Sequence, residues 1–263
     1  MHRLTREIRF TISPFSAMSQ GSNSYCSKPD CEGMGLFFSI WVELGGKIDA
    51  DTGFVVNLAD IDKVFRKNAV KIFDKAVKEA AGNKTDLTVK ELINCLYKCR
   101  DAITGKFLPA KILSLTININ PYRIVKIFTE NENVIHYSEK FEFAAMHKLW
   151  NDSFSENENY AKFGKCANPK GHGHNYIVEV TVEMPVGSDF KYGKFQEIVD
   201  RNLIELLDHK NLNEDVEHFK DKNPTVENIT TYGWGCLKDK FDGAKLSQIT
   251  IWENDRAYCT YRQ

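Results

Sequence analysis

Gly171-His172-Gly173-His174, followed by the strand-like run Tyr176 to Val182, has an earlier counterpart in Gly33-Met34-Gly35-Leu36, followed by an apolar run to Leu44. Three more pairs keep the same order. Phe15-Ser16-Ala17-Met18-Ser19 parallels Phe143-Ala144-Ala145-Met146-His147, and Thr88-Val89-Lys90 parallels Thr225-Val226-Glu227. Leu113-Ser114 parallels Leu246-Ser247, which sets Asn120 opposite Glu253. Each match is weak alone, but their shared order predicts a duplicated fold. Each half reads strand, loop, strand, helix, helix, strand. In the first, Leu36 to Leu44 and Ile112 to Ile119 read as strands and Leu58 to Ala80 as helix. In the second, Ile135 to Ala145, Tyr176 to Val182 and Gln248 to Trp252 read as strands. Phe195 to Leu207 reads as a helix burying Ile198, Leu203 and Leu206, and Thr225 as the N-cap of another running toward Phe241. The polar stretch Thr129 to Asn133 is the linker. The prediction is an α+β protein of two domains, 1–130 and 131–263.

Composition narrows the function classes. The 263 residues are 42% hydrophobic and 27% charged, the balance of a soluble globular chain. A net charge of −1 supplies no global basic field for nucleic acid or a membrane surface. Met1 to Phe10 is charged and unlike a signal peptide, and no apolar run has the length of a membrane span. The seven cysteines (Cys26, Cys31, Cys95, Cys99, Cys166, Cys236, Cys259) show no C-x-x-C pair, so reduced thiols and a cytoplasmic location are expected.

The histidines separate the halves. Six of the seven follow residue 135; the other is His2. In a strand, His172 and His174 point to one face, about 6–7 Å apart at Cα, so both imidazoles can reach one metal. His147 ends the segment Phe141 to Ala145, which can pair beside that strand, and is the third ligand candidate. Three histidines and an open fourth position are the pattern of a catalytic zinc site. An isolated His-Gly-His also occurs in surface turns; His147 and the residues below favour the metal. Ser19, Met34 and Leu36 stand at the matching first-half positions, and Lys90 stands where the second half has Glu227. The first half cannot bind a metal in this way and reads as scaffolding.

Other chemistry-bearing residues cluster nearby in sequence. Cys166 lies in Gly164-Lys165-Cys166-Ala167-Asn168-Pro169, a loop by its Gly and Pro, and a neighbouring cation and Lys165 should lower its pKa toward a thiolate. Cys95, Cys99, Cys236 and Cys259 fall in helix or strand patterns and read as inert; Cys26 and Cys31 have no histidine nearby. Asp208 can orient His209 as an acid–base pair, although the pair also suits a plain polar helix end. Glu253 interrupts the apolar run Ile249 to Trp252, so it sits at an exposed strand end or receives donors such as the two N–H groups of an amidine-like heterocycle. Glu227 could simply answer its helix dipole.

Together these residues resemble the 6-pyruvoyltetrahydropterin synthase family from about Val134 to Tyr261. The matching phrases are Phe143-Ala144-Ala145-Met146-His147, Phe163 through Tyr176, Leu207-Asp208-His209-Lys210-Asn211-Leu212, Pro224-Thr225-Val226-Glu227-Asn228, and Glu253. Asp51 to Asp60 in the first half is a further family-like phrase. The resemblance implies two tandem tunnelling-fold domains, each an antiparallel sheet with two helices on one face, the first degenerate. It implies Zn2+ on His147, His172 and His174. It makes Cys166, Asp208 and His209 catalytic, Glu253 the pterin anchor, and Thr225 and Glu227 neighbours of the pterin. The implied activity is a zinc-dependent carbon–oxygen lyase that eliminates triphosphate from 7,8-dihydroneopterin triphosphate to give 6-pyruvoyltetrahydropterin. It also implies a homo-oligomer with active sites between subunits.

The related 6-carboxytetrahydropterin synthases of queuosine biosynthesis take the same substrate. They resemble a pattern with three residues between the cysteine and His-Gly-His; here there are five, Ala167 to Gly171, which favours the pyruvoyl branch. A non-catalytic pterin-binding protein and a zinc hydrolase using metal-bound water are the other readings. The first has no need of Cys166, Asp208 and His209 together, and the second needs no thiol.

Overall fold

The computed structural model describes residues 1–15, 33–131 and 133–263, so Ser19, Cys26 and Cys31 lie outside the described residues. The chain folds as two compact units, Met1–Ile135 and His136–Gln263. In the first, β1 (His2–Ile12), β2 (Leu36–Gly46), β3 (Lys111–Asn120) and β4 (Arg123–Phe128) form antiparallel neighbours in that order. Between β2 and β3 run α1 (Leu58–Asn68), α2 (Val70–Asn83) and α3 (Val89–Ile103). β1 escapes a hydropathy reading because Arg3, Arg6, Glu7 and Arg9 interleave with Ile8, Phe10 and Ile12, which are fully buried. Those charges are paired: Arg6 with Asp62, Arg3 with Glu43, and Glu7 with Arg9 and Ser39. One face of the sheet takes the helices and the other keeps polar side chains, as antiparallel sheets often do.

The helix expected from Leu58 to Ala80 is broken at Ala69. There the Asn68 amide donates to Val64 O (2.7 Å), taking up a carbonyl of its own helix, and a new helix starts at Val70. α3 begins on a capping box in which Thr88 and Glu91 satisfy each other's backbone N–H groups.

The second unit contains β5 (Val134–His147), α4 (Glu156–Phe163), β6 (His172–Pro185), α5 (Tyr192–Val199), α6 (Glu205–Leu207), β7 (Lys210–Asn211), α7 (Leu212–Asp215), α8 (Val226–Leu237), β8 (Lys245–Asn254) and β9 (Ala257–Arg262). Its sheet runs β5-β6-β8-β9, and β7 pairs parallel with the end of β5. A π-helical stretch, Asp200–Ile204, joins α5 to α6. The wider turn moves the buried stripe to Phe195, Val199, Leu203 and Leu207, while Leu206, expected inside, is 43% exposed. α8 starts at Thr225 as expected, its hydroxyl accepting from Asn228 N, but stops at Leu237. Its Gly233 faces Leu203 and Ile249.

Both units carry β-bulges at matching places. Between β2 and β3 the register skips Leu113, and between β6 and β8 it skips Ser247. Between β3 and β4 it skips Ile119, and between β8 and β9 it skips Glu253. The residue equivalent to Glu253 is therefore Ile119, not Asn120; Asn120 and Asn254 both take the following turn, accepting from backbone N–H groups. Among the described residues, no helix is long and apolar enough to cross a membrane.

Phe195 anchors the second core: it is 1% exposed, stacks on Phe241 at 5.1 Å and meets Tyr137 edge-on at 5.4 Å. Phe195→Ala should cost about 3–5 kcal/mol of stability, read as a lowered urea midpoint.

Candidate metal centre and active site

β5 and β6 bring the histidines together by register and β8 adds a carboxylate. His172 and His174 share a face of β6, as alternation requires, with ring centroids 4.8 Å apart. His147, the last residue of β5, puts its ring 4.5 Å from that of His172 and 5.3 Å from that of His174. On β8, Trp252 pairs with Ile177, and the bulge at Glu253 turns its carboxylate toward the imidazoles. One potential ligand atom from each of His147, His172, His174 and Glu253 lies within 4.8 Å of all the others.

The hydrogen bonds around this group leave nitrogen lone pairs facing inward. His147 Nδ1 lies 2.6 Å from Pro224 O; a carbonyl only accepts, so Nδ1 holds the proton and Nε2 of the neutral ring is free to bind a cation. His147 Nε2 sits 3.1 Å from His172 Nε2 and 3.9 Å from Glu253 Oε1. His174 Nε2 is 2.7 Å from Glu253 Oε1, yet the two lack hydrogen-bond alignment. His172 Nδ1 is likewise buried without a partner among the described residues. Burial holds His147, only 2% exposed, and His172 below the ordinary histidine range, and so keeps them neutral, the form that ligates. The Tyr176 phenol, 3.4 Å from His147 Nδ1, is pushed up by burial and stays protonated.

Cys166 is on a 3-10 turn, Gly164–Ala167, that continues α4, so the expected free loop is a structured connection. Leu149 N donates to Cys166 O at 2.9 Å, tying the turn to the end of β5. The thiol is half-buried, and its pKa is raised where a lowered one was expected: burial and the Glu253 carboxylate both favour the neutral form. Lys165 does not offset them. A cation among the imidazoles would counter the carboxylate's effect.

Asp208 and His209 form the expected pair, His209 Nδ1 meeting Asp208 Oδ2 at 2.8 Å. Asp208 Oδ1 accepts from Ala144 N (2.8 Å) and His209 N donates to Ala144 O, so both residues are clamped to β5. The Ala144 N–H and then His209 hold the Asp208 carboxyl below its usual range. His209 adopts φ +56° and is 83% exposed at its side chain. It lines an open groove of about 600 Å³ with His174, Gly173 and Ala144. Thr225 caps α8 directly after Pro224, and Glu227 is exposed in the first turn. The structure thus gathers the three histidines with Glu253 and sets the Asp208–His209 pair apart on the groove. Sequence reading missed that Glu253 joins the imidazoles; its place in an otherwise apolar strand was the available signal. Cys95, Cys99, Cys236 and Cys259 are free thiols in helices or strands, as expected.

Gly171 makes the approach of the strands possible. It adopts φ +70°, and a Cβ there would fall 2.9 Å from His147 O, whereas one at Gly173 would meet nothing closer than 3.5 Å. Gly171→Ala should therefore cost at least about 1–2 kcal/mol, and Gly173→Ala distinctly less, when their urea midpoints are compared.

A sequence profile of the 6-pyruvoyl tetrahydropterin synthase family matches residues 136–263. The Homo sapiens 6-pyruvoyl tetrahydrobiopterin synthase is 35% identical over 129 residues, 48% of this chain and 89% of the human protein. The Drosophila melanogaster protein of the same name is 36% identical over 125 residues, 46% of this chain and 74% of its own length. The solved Arthrobacter globiformis uricase aligns with all of this chain and 94% of its own at a TM-score of 0.50 and 8% identity, a likeness of fold alone. With the second unit spanning nearly nine-tenths of the human relative, the chain belongs to the 6-pyruvoyl tetrahydropterin synthase family.

Proposed function

We propose that the chain is a zinc-dependent carbon–oxygen lyase that converts 7,8-dihydroneopterin triphosphate to 6-pyruvoyltetrahydropterin with loss of triphosphate. The observation that carries this reading is the convergence of His147, His172 and His174, with His147 oriented by Pro224 O. Three imidazoles with inward lone pairs fit a zinc ion, and His174 Nε2, buried in the group, has no hydrogen-bond partner among the described residues. When bound, zinc supplies Lewis-acid polarisation of the substrate's side-chain oxygens, which acidifies the neighbouring C–H bonds.

The remaining steps fall to side chains of this protein. Cys166, as thiolate, removes a proton from the substrate side chain, and His209, steadied by Asp208, returns one. The C–O bond to triphosphate breaks, and the side chain is oxidised as the ring is reduced, so no external oxidant is needed. Thr225, Glu227 and Glu253 supply the polar contacts to the pterin; a carboxylate suits its paired N–H groups. We assign the exposed Asp208–His209 pair to a site completed by a second copy of the chain, which makes the protein a homo-oligomer. The 1–130 half, with Met34 and Leu36 at the matching positions, acts as scaffold without metal.

Incubation with 7,8-dihydroneopterin triphosphate and mass spectrometry of the products tests the reading. The expected product is 6-pyruvoyltetrahydropterin; a 6-carboxy product would move the chain to the queuosine-type branch, and binding without turnover would make it a pterin-binding protein. Cys166→Ala should lose about 10²–10⁴-fold in turnover while keeping its metal. Activity that survives this change but not a chelator would favour hydrolysis by metal-bound water. Metal analysis should find one ion per chain in the wild type and none after His172→Ala; two per chain would contradict the assignment of the first unit.

A further inference from the structure

We infer that Glu253 is a fourth, displaceable protein ligand of the metal in the resting enzyme. The inference rests on the metal site proposed above. Ligand atoms about 2.0–2.1 Å from a tetrahedral ion lie roughly 3.3 Å from one another. Three of the separations here bracket that value: 3.1 Å from His147 Nε2 to His172 Nε2, 3.9 Å from His147 Nε2 to Glu253 Oε1, and 2.7 Å from His174 Nε2 to Glu253 Oε1. The carboxylate oxygen occupies the place of a fourth ligand among the nitrogens.

A carboxylate that only steadied a ligating histidine would accept a hydrogen bond from the ring N–H turned away from the metal. His147 has such a bond, but to Pro224 O. Glu253 instead approaches the same nitrogen of His147 that faces His172, and its short contact with His174 Nε2 is not aligned as a hydrogen bond. Its backbone is the bulged residue of β8, so the carboxylate is set toward the imidazoles by a feature of the strand itself. The first unit has Ile119 at its equivalent bulge, so the bulge needs no carboxylate to form.

A site closed by four protein ligands cannot polarise a substrate until one leaves. His147 is held by a buried ring bond and the imidazoles by paired strands, whereas Glu253 has no hydrogen bond or ion pair beyond this group among the described residues. It is the ligand that yields. With Glu253 displaced, the ion would be open to a substrate oxygen and the carboxylate would be free for the pterin N–H edge. One side chain thus couples capture of the ring to opening of the metal, and the closed shell keeps water off the ion between turnovers.

Full-length protein loaded with Co(II) and titrated with azide, followed by visible absorption, tests this. In the wild type azide must compete with Glu253, so it should bind at least about 10-fold more weakly than in Glu253→Ala, and Glu253→Gln should fall on the Ala side. The azide-free spectrum should also change on substitution, as water replaces carboxylate. Equal azide affinity and unchanged spectra in wild type and both variants would overturn the inference while leaving the three-histidine site intact. Failure of the wild type to take up Co(II) would instead overturn the metal site beneath it.

Discussion

The second unit depends on a cost that its own strands create: they force nitrogen and oxygen lone pairs toward one another in a largely buried spot. Each of those atoms would be better solvated apart, and burying them unpaired is unfavourable by kilocalories. The register of β5, β6 and β8 leaves them no alternative, because strand alternation fixes His172 and His174 to one face and the bulge sends Glu253 after them. A cation would convert that repulsion into binding. The local electrostatics have the same sense, since burial favours the neutral form of His147 and His172, and burial and the Glu253 carboxylate favour the neutral Cys166 thiol.

The first unit shows the same plan without the cost. Its bulges fall at Leu113 and Ile119, its third helix starts on Thr88 as α8 starts on Thr225, and the β2 residue equivalent to His174 is Leu36. Its polar investment is elsewhere, in the ion pairs of Arg3, Arg6 and Glu7 along β1. Among the described residues, no comparable group gathers lone pairs there. The fold and the site are thus separable, and the site is what a few substitutions on a shared frame add or remove.

Much of this was legible from residue order. The strands beginning near Leu36 and Tyr176, the caps at Thr88 and Thr225, and the three histidines all follow from alternation, capping chemistry and ligand spacing. β1 and β4 were hidden because charged residues alternate with apolar ones and tertiary ion pairs absorb the charges. α4 carried a readable signal, Ser155 with Glu158 three residues on, which forms a capping box in the structure. The π turn at Asp200–Ile204 and the break at Ala69 depend on packing and local carbonyl competition that no period reveals. The one-residue error that matched Asn120 to Glu253 came from setting Leu113 against Leu246; the bulges pair Leu113 with Ser247, and the bulge at Ile119 with that at Glu253. That bulge also explains why Glu253 could be suspected from sequence but not located.

The most direct measurement is anomalous diffraction at the zinc edge from crystals of the full chain grown with zinc. The account predicts one peak per chain, enclosed by His147, His172 and His174. No peak there, or a peak in the first unit instead, would contradict it.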